Sequence, residues 1–305
     1  MTRPQSDDAG RSGGTVKAIG LMCLAITLFS GLDATGKYLL GPLGLPSAQV
    51  VWVRFLGQLL LILAVVGAVR PRSFPTLIKS AKPWHQLLRS CLLMGSTVGN
   101  FLALRHLRLD QTTSIAFLAP LTVALLAGPF LGEWVGWRRL FAIVVGFCGI
   151  LIVVRPGIAA VHPAMLYSFL GMLSYAVFIL ITRWLAAHDP PEVTLFYSLF
   201  AGATLAAPFA VHAWVWPGSA LVWALLISTG IWGGVGHYLF ILAYRSAPAS
   251  TIAPFIYFQL VTMVALGYLI FGDLPDAWTL AGSAVVILSG IYLVHRERVV
   301  REAGR

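Results

Sequence analysis

Charge is what this sequence has least of: Asp, Glu, Lys and Arg make up 10% of it, while 58% is hydrophobic and the mean hydropathy is +0.85. A soluble domain needs roughly 25% charged residues for its polar shell. A globular water-soluble enzyme is therefore excluded, and lipid must be much of the solvent. Acids are the scarcer sign, 11 against 21 Lys and Arg, for a net charge of +10. Those cations punctuate apolar runs rather than gathering on one basic face, so no nucleic-acid partner is expected. Cysteine is rare too. Cys23, Cys91 and Cys148 each lie alone in an apolar stretch, which leaves no disulfide framework and no zinc spacing. The patterns His-Glu-x-x-His and Cys-x-x-Cys and a phosphate loop ending in Gly-Lys-Ser/Thr are all missing. Neither metal nor cofactor is expected, ATP drive is disfavoured, and a membrane-embedded enzyme is only the remote alternative.

What the chain has instead is apolar length. Stretches able to cross a bilayer fall at about 18–40, 47–69, 86–106, 112–132, 138–154, 163–186, 193–212, 219–244, 250–271 and 277–295, each near the ~20 residues a span needs. Turn chemistry marks the breaks, as in Gly41-Pro42-Leu43-Gly44, Arg155-Pro156-Gly157, Asp189-Pro190-Pro191, Trp216-Pro217-Gly218 and Asp273-Leu274-Pro275-Asp276. The first stretch exceeds the apolar core of about 7–15 residues in a secretory signal. It is expected to be a retained span behind a disordered cytoplasmic tail at 1–17, with a second cytoplasmic tail at 296–305.

Lys and Arg are retained on the cytoplasmic side during insertion. With the N-terminus inside, that side receives Arg3, Arg11, Lys17, Arg70, Arg72, Lys79, Lys82, Arg89, Arg138, Arg139, Arg183, Arg245, Arg296, Arg298, Arg301 and Arg305. Only Lys37, Arg105, Arg108 and Arg155 fall outside. An odd number of spans would scramble this asymmetry. The expectation is an all-α integral membrane protein, multi-pass, in a bacterial inner (plasma) membrane with both termini cytoplasmic.

The two halves, 18–155 and 163–295, resemble each other. Laid without a gap from Ala103 onto Ala243, the sequence brings together Arg105/Arg245, Thr122/Thr262, Leu126/Leu266, Gly132/Gly272, Leu140/Leu280 and Val154/Val294, with Glu133 on Asp273 and Phe117 on Tyr257. Five spans per half insert the second copy upside down. Ten transmembrane helices arranged as two inverted five-helix repeats are the scaffold of alternating access, with a solute site near the midplane.

On these residues the chain resembles the drug/metabolite transporter superfamily, in particular the EamA-type permeases. The resemblance rests on Gly132-Glu133 and Gly272-Asp273 closing the fourth and ninth spans and on glycine-rich fifth and tenth spans, and it covers 18–295. It implies a ten-helix bundle around a central cavity lined by spans 1, 3, 4, 6, 8 and 9. The run Phe29-Ser30-Gly31-Leu32-Asp33-Ala34-Thr35-Gly36-Lys37, followed by Arg54, is similar to a branch holding riboflavin and S-adenosylmethionine carriers. The implied function is a secondary permease for a small organic solute, a vitamin or nucleoside-like metabolite such as riboflavin. Export of an amino acid, drug or metabolite is the alternative within the superfamily, and protons are candidate co-substrates.

Asp33 is the carboxylate that lies well inside an expected span, where an ionisable group is costly and a role in function is the default hypothesis. It sits about 10 Å below the outer end of its span, and Arg54 reaches a similar depth of about 10 Å in the second. An Asp33–Arg54 pair is allowed, and Lys37, one turn on, is a rival partner. The pair would be either a static brace or a gate. Asn100, the one asparagine of the chain, serves as interhelical glue or lines the cavity, with Thr97, Gln58 and Thr35 extending the patch. In the second half Ile179 stands opposite Asp33 and Ser198 opposite Arg54, so the two gates should differ. Span 8 offers Trp232, glycines at 230, 233, 234 and 236, then His237 and Tyr238. His237 is a packing residue or a titrating one. Phe117, Tyr175, Tyr257 and Gln259 are the cavity candidates on spans 4, 6 and 9, suited to a ring-bearing solute. Trp134, Trp137, Trp214 and Trp216 are expected at the interfaces. Glu133 and Asp273 would cap a helix or bind a nearby cation.

Overall fold

Where the sequence alternates apolar runs with Pro, Gly and Asp breaks, the chain forms helices, and the described residues include no strand. The computed structural model describes residues 6–69, 76–131, 136–155, 162–185, 187–246 and 253–303. Arg70, Arg72, Gly132, Glu133, Trp134 and the Pro156-Gly157 turn lie outside them. The helices are α1 (Ser6–Leu40), α2 (Ser47–Val69), α3 (Pro83–Leu104), α4 (Leu109–Ala116), α5 (Ala119–Leu131), α6 (Trp137–Val154), α7 (Ala164–Leu185), α8 (Pro191–His212) and α9 (Ala220–Ser246). A 3-10 turn at Ala253–Tyr257 then leads into α10 (Phe258–Phe271), and α11 (Ala277–Ala303) closes the chain. Prolines open α3 and α8, where the missing N–H costs nothing. Residues in the left-handed region, Arg155 at φ 50° and Gly272 at φ 71°, close α6 and α10. Seven helical segments are long and apolar enough to cross a membrane, and three shorter apolar ones, Leu140–Val153, Phe255–Phe271 and Ala277–Tyr292, complete the expected set.

Helix α1 starts at Ser6 and α11 continues to Ala303, so both helices run on past the apolar spans. Propagating an existing helix adds one hydrogen bond per residue fixed, so a nucleated span carries polar flanks along. The fourth span is broken into α4 and α5 at Phe117 and Leu118, just before Pro120, whose ring cannot follow a continuous helix. The ninth span begins with the 3-10 turn, in which Pro254 falls. Phe117 and Tyr257, matched by the internal alignment, occupy these two breaks, and their rings meet edge-on with centroids 5.0 Å apart.

The packing repeats across the halves. Helix α1 lies along α9 as α7 lies along α3, while α2 meets α8 and α6 meets α11. Exchanging the halves turns the first pair into the second and returns each of the others to itself. Small residues make the contacts, as expected where lipid removes the hydrophobic drive between helices and close backbone approach must supply the attraction. Gly99 faces Gly171, Gly57 faces Gly230, and Gly149 faces Gly282. The Ser289 hydroxyl donates to the Ala142 carbonyl at 2.5 Å. Ala142 aligns with Gly282 and Gly149 with Ser289, so the two α6–α11 contacts are one contact seen from either half.

A Cβ on Gly282 would lie 2.5 Å from the Gly149 carbonyl oxygen, whereas one on Gly20 would meet nothing within 4 Å. Gly282→Ala is therefore expected to destabilise the protein by about 1–3 kcal/mol through overpacking. Gly20→Ala should be neutral or stabilising through helix propensity. Melting temperatures of the two purified variants check this, and an unchanged melt for Gly282→Ala contradicts the α6–α11 register.

Candidate functional site

The site begins with glycines that let other helices close on α1. Phe101 of α3 lies over Gly36, 3.0 Å from where a Cβ would sit, and Trp232 of α9 lies over Gly31 at 3.8 Å. Closure on Gly36 brings the residue before Phe101 to Asp33, and the Asn100 amide donates to the Asp33 carboxylate at 3.0 Å. The Arg54 guanidinium of α2 sits over the same Phe101 ring at 5.4 Å and over Phe55 at 5.8 Å. Its charge reaches Asp33, yet no ion-pair contact joins them. Asp33, Arg54 and Asn100 come from three spans and are all partly exposed, although each lies inside a membrane-crossing helix.

His237 of α9 belongs to the same region. Its ring meets Phe29 of α1 edge-on at 4.9 Å, and the charges of both Arg54 and Arg89 act on it. Trp232 remains 36% exposed beside Gly31. Tyr175 is 40% exposed and stacks on Phe178, centroids 5.6 Å apart. Gln259 is partly exposed, and its carbonyl accepts from Thr262, whose hydroxyl meets Ser30 of α1 at 2.5 Å. Tyr238, about 100° further round α9 than His237, is 59% exposed. Gln58 is buried against Gly233, where a Cβ would collide with its amide.

The ends of the bundle are tied separately. Lys37 does not serve Asp33: it donates to Asp273 at 2.8 Å, joining α1 to the loop after α10, and its ammonium lies 4.5 Å from the Phe271 ring centre. At the same end Arg155 pairs with Asp276 at 2.6 Å. At the other end Asp189 accepts from the Ser80 hydroxyl at 2.5 Å, the Ala81 amide at 2.7 Å and the Gln86 amide at 2.8 Å. Lys37 and Asp273 end the first and ninth spans, and Asp189 and Ser80 border the sixth and third. Both connections need an even number of crossings between their partners.

Arg89, one of the cations expected on the cytoplasmic side, stands inside α3 and is taken up by its neighbours. It is 6% exposed within α3, donating to the Thr182 hydroxyl at 2.6 Å, the Thr194 carbonyl at 3.1 Å and the Ser198 hydroxyl, and lying 4.3 Å from the Phe178 ring centre. Ser198, expected opposite Arg54 in the repeat, is thus a ligand of Arg89. The available signal was position: Arg89 lies well inside a helix opened by Pro83 and followed by the apolar run 91–94.

Burial works against the Asp189 carboxylate, but hydrogen bonds from Ser80, Gln86 and Ala81 and the nearby His188 outweigh it and hold its pKa below the ordinary 3.8. A depressed carboxylate contributes stability above its unfolded pKa of about 3.9 and loses it as pH falls through the folded value. Asp189→Asn should therefore melt lower than the parent near neutrality, with the gap closing below about pH 4. Melts of both proteins across pH check this, and a gap that persists or widens in acid contradicts it.

Several named transporters are similar to this chain in sequence. At 29% identity over 280 residues, covering 92% of this chain and 94% of the relative, the chain is similar to an S-adenosylmethionine uptake transporter of Rickettsia bellii. It is similar to a riboflavin transporter of Vibrio cholerae at 26% over 276 residues, 90% of this chain and 92% of the relative. A pseudopaline exporter of Pseudomonas aeruginosa matches at 27% over 281 residues, 90% and 94% of the two chains. One solved crystal structure superposes with a TM-score of 0.62 over 94% of this chain and 99% of its own, and at 19% identity it bears on the fold alone. The model of the EamA-like transporter family matches twice, at residues 16–155 and 162–296, and the chain belongs to that family.

Proposed function

We propose that this permease moves a small, ring-bearing organic metabolite across the bacterial inner membrane by alternating access, with both termini in the cytoplasm and with Asp33, Arg54 and Asn100 at the solute site. The carrying observation is that these three residues meet from α1, α2 and α3, partly exposed within membrane-crossing helices. Polar groups at that depth are expensive and mark solute or ion paths, and Trp232, which lies over Gly31 of the same α1, offers a ring a stacking surface. The helix breaks at Phe117 and Tyr257 support it, since discontinuous spans at the interface of inverted repeats form such sites. The Lys37–Asp273 pair serves as one gate and the Asp189 cluster helps hold the opposite end, while Asp33 is the candidate proton carrier. The five-helix units are 18–155 and 163–295. Relatives that carry S-adenosylmethionine and riboflavin favour a nucleoside-like metabolite over a drug.

Counterflow in proteoliposomes tests the proposal. Protein preloaded with S-adenosylmethionine or riboflavin should drive saturable accumulation of the labelled compound. Asp33→Asn should cut it by roughly tenfold or more, the cost of one charged hydrogen-bonding partner. Counterflow by Asp33→Asn equal to that of the parent at every pH counts against Asp33 as part of the site.

A further inference from the structure

Cations outnumber acids in the core of the bundle. Among the described residues, those inside the spans and away from their ends are Arg54, Arg89 and the ionisable His237, with Asp33 the one carboxylate. Arg89 is engaged by neutral oxygens from Thr182, Thr194 and Ser198. Arg54 is not. Among the described residues it has no hydrogen-bond acceptor, its Nε is buried without a partner, and the Phe101 and Phe55 rings fix the guanidinium. Asp33 is held by Asn100 through one oxygen, Oδ1. Two opposite charges in a medium of low polarity gain most by touching, yet Asn100 and Phe101, neighbours on α3, hold these two apart.

We infer that the solute bears an α-amino-acid head, whose carboxylate is taken by Arg54 and whose ammonium is taken by Asp33 with Asn100. This rests on the placing of the solute site at Asp33, Arg54 and Asn100 proposed above. A guanidinium offers a planar fork that matches a carboxylate through paired N–H donors, and the flanking rings hold that plane in place. A phosphate suits the site less well, because with Arg54 taken its second negative charge would stand near Asp33, and the carboxylate would be left facing a like charge. A neutral heterocycle alone leaves both charges without a partner, and burying an unpartnered charge is costly. A zwitterionic head answers both and adds no net charge to the bundle.

The test is competition for counterflow of labelled S-adenosylmethionine in proteoliposomes. The competitors are S-adenosylhomocysteine, which keeps the head, decarboxylated S-adenosylmethionine, which lacks only the carboxylate, and methylthioadenosine, which lacks the head. S-adenosylhomocysteine should compete about as well as the substrate, while the other two should need roughly 10- to 100-fold higher concentration, the weight of one charge-assisted hydrogen-bonded contact. In Arg54→Gln the penalty for removing the carboxylate should collapse toward unity, and Arg54→Lys should keep part of it. Equal competition by the decarboxylated compound in the parent, or full discrimination in a folded Arg54→Gln, overturns the inference. Counterflow of riboflavin without that of S-adenosylmethionine also overturns it, while leaving the proposed solute site standing. Absence of counterflow for both compounds overturns the site proposal and this inference together.

Discussion

An ionised side chain at the centre of a bilayer costs about 3 kcal/mol or more unless the protein answers it, and that penalty organises this molecule. The chain has few charges to place, and most of those in or near its helices are engaged. Lys37 meets Asp273, Arg155 meets Asp276, Arg108 meets Asp110, and Arg89 is wrapped by three neutral oxygens. Asp33 and Arg54, inside the spans, are near enough to feel each other and kept from contact. Natural selection has little reason to tolerate such an arrangement in a passive scaffold, and a transporter has a direct one.

The rest of the bundle holds that arrangement in place. Gly36 admits Phe101, Phe101 positions Arg54, and the next residue back, Asn100, reaches Asp33. Glycine pairs between α3 and α7, α2 and α9, and α6 and α11 draw the helices together without large side chains to lock them. The two faces are fastened by chemically different devices, an ion pair at Lys37–Asp273 and a hydrogen-bonded carboxylate at Asp189. Helices that slide on glycine contacts and release one fastening at a time fit a rocking motion about the proposed solute site.

The membrane fold was legible because apolar length and loop charge are strong signals that survive without an alignment. The internal alignment was equally informative: Phe117 and Tyr257, matched by sequence alone, turned out to touch. Asp33, Arg54 and Asn100 could be placed at one depth by counting residues along helices, and all three meet in one region. Counting could not choose their partners. Lys37 lies one turn from Asp33 along α1, yet its ammonium is taken by Asp273, far away in the chain. Arg89 was hidden by a different effect: a cation about two turns into a span counts toward the charge of that side until its hydroxyl ligands on α7 and α8 are seen. The helix breaks escaped because Pro120 lies inside an uninterrupted apolar run, where hydropathy is blind to a missing backbone donor.

The claim on which everything else depends is that the region around Asp33 opens to one side of the membrane at a time. Single cysteines placed at Gly31 or Asn100, after replacement of Cys23, Cys91 and Cys148, can be probed with a membrane-impermeant thiol reagent from either face of oriented vesicles. Alternating access predicts labelling from both faces, with saturating substrate slowing it on both. Labelling confined to one face regardless of substrate, or no labelling from water at all, would contradict it.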